Sequence, residues 1–171
     1  MIRIFKRKKK SLKDTAVHSV GTFTGDVGRG LFAGLVGTFA MSLSQFIEMK
    51  ITQREGSDSP LKAAEKVFDI HADNEEAKSK LLNIIHYAYG TSWGGFRGII
   101  GTLGLKGIPA NALHFSSVFG TELVMLPGLK VAPPVKEWGT KEISVSGIHH
   151  IIYVLVSGVV FDLLKSDRKP V

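Results

Sequence analysis

The residues able to do chemistry in this chain are few and stand in apolar surroundings. His86, Glu122, His149 and His150, with Gln45, Tyr89 and Tyr153, interrupt runs made otherwise of glycine, aliphatic and aromatic residues. Histidine titrates near neutral pH, carboxylates exchange protons with it, and imidazole ligates metals and haem. Three readings follow. In the first, Glu122 accepts hydrogen bonds from His86 or His150 and the set holds helix register. In the second, the layer they form handles protons, ions or a small solute along a line continued by Tyr89, Tyr153 and serines. In the third, His86 and His150, with Glu122 as a further ligand, hold haem or a divalent metal.

The chain has no cysteine, which excludes thiolate zinc, iron–sulfur clusters and thiol nucleophiles. It also lacks GxSxG, HExxH and a phosphate-binding glycine loop. No catalytic residue is assigned, and the expectation is a protein that is not an enzyme.

The elements that must position these residues are visible as gaps between charges. Residues 30–47 carry no charge over 18 positions and residues 143–161 none over 19. Residues 81–104 hold only Arg97, and residues 108–127 only Glu122. A helix crossing a bilayer needs about 20 mostly apolar residues. The sequence therefore predicts an all-α integral membrane four-helix bundle, with spans near 28–49, 81–104, 108–127 and 143–164. The competing fold is a soluble bundle with unusually glycine-rich helices.

Topology follows from the ends. The start carries Arg3, Lys6, Arg7, Lys8, Lys9, Lys10 and Lys13, and the tail Lys165, Arg168 and Lys169. Positive charge stays in the cytoplasm, so both termini are expected there: 1–29 as a basic segment, 165–171 as a tail. Anionic lipid headgroups are the expected partner of the basic start; nucleic acid is the alternative that a soluble fold would favour. The connector 50–80 is then outside, with a helix announced by Ser59-Pro60 and a second starting at Asn74-Glu75-Glu76. The pair Pro133-Pro134 marks a non-helical outer loop.

With this topology Gln45, His86, Glu122, His149 and His150 all fall within roughly 10 Å of the outer boundary, at 1.5 Å per residue. One polar group per helix at one depth makes a layer. Towards the inner side, Arg97 and Asp162 are level and expected to form an ion pair. Glycine spacing predicts the packing: Gly30, Gly34, Thr38 and Ser42 form one ridge, and Gly90, Gly94 and Gly98 another. Small residues four apart let helix backbones approach, either within the chain or across a homo-oligomer interface. The motif His86-x-x-Tyr89-x4-Gly94 repeats as His150-x-x-Tyr153-x4-Gly158, hinting at duplicated hairpins.

The run LPGLKVAPP at 126–134, followed by a His-bearing span that closes at basic residues, resembles the YagU-like family of small four-span bacterial inner-membrane proteins. His86-Tyr87-Ala88-Tyr89-Gly90 in the second span and an acid in the third add to the likeness, which covers about residues 28–165. Val154 stands where such proteins often carry glycine. The resemblance implies four helices in a bacterial inner membrane and supplies no activity.

Overall fold

A computed structural model describes residues 12–166, with side chains from Ala16 onward. The basic stretch 1–11 and the tail residues Arg168 and Lys169 lie outside the described residues. Within them the chain is all helical: α1 (Leu12–Thr52), α2 (Ser59–Phe68), α3 (Glu75–Thr102), α4 (Gly107–Gly128), a 3₁₀ turn (Val135–Glu137) and α5 (Thr140–Ser166).

Local chemistry sets the boundaries. Asn74 caps α3 by accepting from the Ala77 amide at 2.9 Å, with Glu75 and Glu76 in the first turn. Pro60 sits in the first turn of α2, although the residue before that helix is Asp58 rather than Ser59. Gly104 (φ +83°) and Gly107 (φ +60°) take left-handed backbone and reverse the chain between α3 and α4. After Pro133-Pro134 the backbone makes only the 3₁₀ turn, tied by the Trp138 indole N–H donating to the Pro133 carbonyl at 2.8 Å.

Two features differ from the sequence expectation. The first span is the C-terminal part of a single 41-residue helix, about 60 Å long. Residues 12–29 hold no proline and continue the helix instead of forming a separate segment. Second, two helices are long and apolar enough to cross a membrane, α1 (from Ala16) and α5. In α3 and α4 the polar residues His86, Arg97, Asn111, His114 and Glu122 dilute the apolar content.

The four long helices run alternately up and down. Helices α3 and α5 lie side by side in parallel, with α1 packed along one side of the pair and α4 along the other. The α1–α3 contact is the most extensive. There the two small-residue ridges mesh: Gly30 lies against Gly94 and Gly98, Gly34 against Gly90 and Gly94, and Thr38 against Gly90. The ridge also extends one step further, bringing Asp26 against Gly98. A methyl group on Gly34 would stand 2.6 Å from the Gly94 Cα, so this approach requires glycine.

Large side chains lie on both sides of the helices: Arg97, Tyr153, Phe161, Leu61 and Ile100 are fully buried, while many phenylalanine, leucine and isoleucine side chains face outward. The interior holds Ala33, Thr38, Arg97, Ala110, His114 and Ser157, with a small apolar cluster of Met41, Val118, Tyr153 and Val154. Phe32, Leu35, Phe39, Leu43 and Phe46 of α1 are exposed, as are Ile148, Ile151, Leu155, Val159 and Leu163 of α5. Both sets recur every three or four residues, which makes each a stripe on one helix face.

Candidate functional site: a polar seam between three helices

The bundle has two ends: a connector end, with α2 and the 129–139 loop, and a terminal end, where α1 begins and α5 stops. Near the connector end, His149 and His150 are neighbours in sequence and so point about 100° apart around α5. That rotation divides the polar layer in two. His150 faces α4: its Nδ1 is 3.4 Å from a Glu122 carboxylate oxygen, and the Ser146 hydroxyl donates to the same carboxylate at 2.9–3.0 Å. The His150 Nδ1 also lies 2.9 Å from the Ser146 carbonyl, one turn back on its own helix. From α3, His86 forms no hydrogen bond to Glu122 or His150 among the described residues, and its buried Nε2 has no partner there.

His149 faces the other way, into the α1–α5 contact, and is almost fully buried. The Ser44 hydroxyl is 2.8 Å from its Nδ1, and a Glu48 carboxylate oxygen lies 3.9 Å from its Nε2. Glu48 in turn holds the Arg54 guanidinium at 2.8 Å. Gln45, expected in the layer, is half-buried and forms no side-chain hydrogen bond among the described residues. Ser44 and Glu48 were not singled out by the sequence. Their spacing of four on α1 puts them on one face, and that face could have been matched to an acceptor on another helix.

From His150 a line of polar groups leads down α5 towards the terminal end. Tyr153, buried to 2% exposure, donates its hydroxyl to the Gly90 carbonyl at 2.6 Å. Beside it, at 5.5 Å between ring centres, stands His114, whose Nε2 is 3.0 Å from the Trp93 carbonyl. Asn111 lies against Gly158 one turn further on. The line ends at Arg97, fully buried, which donates to Asp162 at 2.7 Å and packs 4.5 Å from the Phe161 ring. The expected partners Arg97 and Asp162 thus stand together. His114 becomes part of the line rather than an isolated histidine.

A second ionic group closes the terminal end between α1 and α5. Asp26 is fully buried, with Lys165 at 2.8 Å and Arg29 at 3.3 Å; Lys165 also donates to the Gly101 carbonyl and Arg29 to that of Leu164. Asp26 was missed from sequence because the helix was expected to start later. Its place four residues before Gly30, on the same ridge, is the signal that identifies it.

The two copies of the His-x-x-Tyr-x4-Gly motif occupy unlike surroundings. Tyr89 is 41% exposed and Tyr153 buried; Gly94 meets the α1 backbone, while Gly158 meets the Asn111 side chain. The motif therefore places no equivalent pair of sites.

The chain matches no family model, no curated protein and no solved structure.

Among the described residues, no three His, Asp or Glu side chains converge as a metal-binding set. What the arrangement offers chemically is a chain of groups that give and take protons. A histidine–glutamate pair stands at one end, a tyrosine and a histidine in the middle, and at the other end a part-exposed aspartate held by the buried, permanently charged Arg97.

Proposed function

We propose that this protein crosses a membrane four times and handles protons through the polar seam between α3, α4 and α5. The observation that carries this reading is the line of polar side chains between α3, α4 and α5, from Glu122 and His150 past Tyr153 and His114 to Arg97 and Asp162. It runs through a bundle whose outward faces are phenylalanine, leucine, isoleucine and valine. Ionisable groups are costly in a bilayer and sit where they pair or where charge moves. The same groups that dilute the apolar content of α3 and α4 are the ones turned inward, so these two helices cross with their polar stripe sheltered by α5. The connector end is then the outer face, and the basic terminal end faces the cytoplasm and its anionic lipids. The resemblance of the 126–164 run to YagU-like proteins supports the same placement in a bacterial inner membrane.

Proton movement is tested in proteoliposomes carrying an internal pH dye. An imposed pH gradient should collapse faster with the wild-type protein than in empty vesicles, and Glu122→Gln and His150→Phe should each abolish the difference. Equal rates for wild type and Glu122→Gln would remove the proposal. Topology is tested independently, because the chain has no native cysteine. Single cysteines at Gly56 and Gly139 should react with an impermeant maleimide from the outer side only, and one at exposed Lys106 from the inner side only.

A further inference from the structure

Arg97 has more hydrogen-bonding capacity than the ion pair uses. Its side chain is fully buried, and one amino group donates to Asp162. Its Nε and Nη1 groups meet no acceptor among the described residues. His114 is also fully buried, and its ring is fixed by contact with the Trp93 carbonyl. A carbonyl only accepts, so the proton is on Nε2 and Nδ1 presents a lone pair. That Nδ1 atom has no donor opposite it, and neither has the buried Oδ1 of Asn111.

Register sets these three side chains at one level of the bundle. Trp93 and Arg97 are one turn apart on α3; His114 and Asn111 are one turn apart on α4, which runs the opposite way. The His114–Trp93 contact therefore sets Asn111 level with Arg97. Helix α5 closes the third side: Tyr153 stands beside His114, Gly158 leaves room for the Asn111 amide, and Phe161 underlies the guanidinium.

Two unused donor groups and two unused acceptors are the complement of one molecule that accepts twice and donates twice. A fully deprotonated anion has no proton to donate to the His114 lone pair, and a cation is repelled by Arg97. We propose that Arg97, Asn111 and His114 form a buried site for a bound water molecule, which accepts from Arg97 and donates to Asn111 and His114. Buried waters characteristically make about three such bonds to polar groups that lack other partners. Together with the proton-handling reading, on which this consequence rests, the water joins the Tyr153–His114 part of the seam to the Arg97–Asp162 pair.

The test is hydroxyl-radical footprinting by X-ray radiolysis of the full-length protein in nanodiscs, read by mass spectrometry. Radicals born from a bound water modify its neighbours even where bulk solvent does not reach. With each rate normalised to the side chain's intrinsic radical reactivity, His114 and Phe161 should be oxidised about fivefold faster than buried Ile100, and Asn111→Leu should bring them to the normalised Ile100 rate. Background oxidation of both residues in the wild-type protein overturns the site. So does fast oxidation that survives Asn111→Leu. If that variant does not fold, the wild-type labelling decides by itself. Strong labelling with pH-gradient collapse insensitive to Glu122→Gln would keep the water site and remove only the proton reading. Background labelling with flux abolished by Glu122→Gln would do the reverse.

Discussion

Helix α3 has two working faces, and they are built on opposite principles. Towards α1 it presents Gly90, Gly94 and Gly98, and the contact is backbone on backbone. Towards α4 and α5 it presents Trp93 and Arg97, and the contacts are side chains of the neighbours, His114 and Tyr153, on its Trp93 and Gly90 carbonyls, and the Arg97–Asp162 ion pair. In the first seam nothing polar is left over, because a glycine ridge brings no side-chain donors or acceptors. In the second, large polar groups keep the helices further apart and leave hydrogen-bonding capacity to spare. One helix can therefore be anchored on one side while it lines a polar path on the other.

The sharpest way to break this contrast is to fill the close seam. A side chain at Gly94 would collide with the backbone of Gly30 and Gly34, which cannot swing aside as a side chain can. Gly94→Leu is expected to destabilise the bundle by at least ~3 kcal/mol, seen as loss of the monodisperse peak in detergent size-exclusion chromatography. Gly120→Ala, where a methyl group meets nothing within 4 Å, is expected to be neutral in the same assay. If both variants behave alike, backbone approach is not what holds α1 to α3.

The ionic groups at the terminal end come next in size. Asp26 is fully buried beneath Lys165 and Arg29, whereas the Asp162 side chain is 40% exposed beside Arg97. Removing Asp26 leaves two cations without a carboxylate, at a cost of about 3 kcal/mol. Asp162→Asn keeps a hydrogen-bond acceptor for Arg97 and should cost clearly less. Thermal unfolding of the two variants, followed by tryptophan fluorescence, orders them. The opposite order would mean that the polar seam, not the α1–α5 contact, clamps this end.

Two smaller changes sharpen the comparison within the polar seam. Tyr153→Phe loses the bond from α5 to the Gly90 carbonyl and should cost about 1 kcal/mol in chemical unfolding. Ser44→Ala removes the hydroxyl beside His149, and a double-mutant cycle with His149→Phe should return a coupling of about 0.6 kcal/mol. Since Ser44 lies outside the α3–α4–α5 seam, its substitution should leave proton flux unchanged while Glu122→Gln abolishes it.

Much of this architecture is legible in one dimension. Charge-free blocks locate the long helices, since an apolar helix needs consecutive apolar residues. Four-residue spacing of Gly30, Gly34 and Thr38 and of Gly90, Gly94 and Gly98 places each ridge on one helix face, because helical periodicity is a local property. Counting residues from the block ends puts Arg97 level with Asp162 and Glu122 level with His150. All of these are sums of fixed increments along a helix.

What the tertiary structure decided is which face meets which helix. Nothing local tells His149 to find Ser44 and Glu48 on α1 while His150 finds Glu122 on α4. The divergence follows from where α5 sits between its neighbours. Nor does the sequence alone reveal that the chain is already helical at Asp26, which lies buried against Gly98 and meets Lys165, 139 residues away. The spare donors and acceptors of Arg97, Asn111 and His114 belong to the same class. Each residue type is visible in the chain, but being left unpaired is a property of three helices packed together, because hydrogen-bond satisfaction depends on whatever surrounds an atom in space.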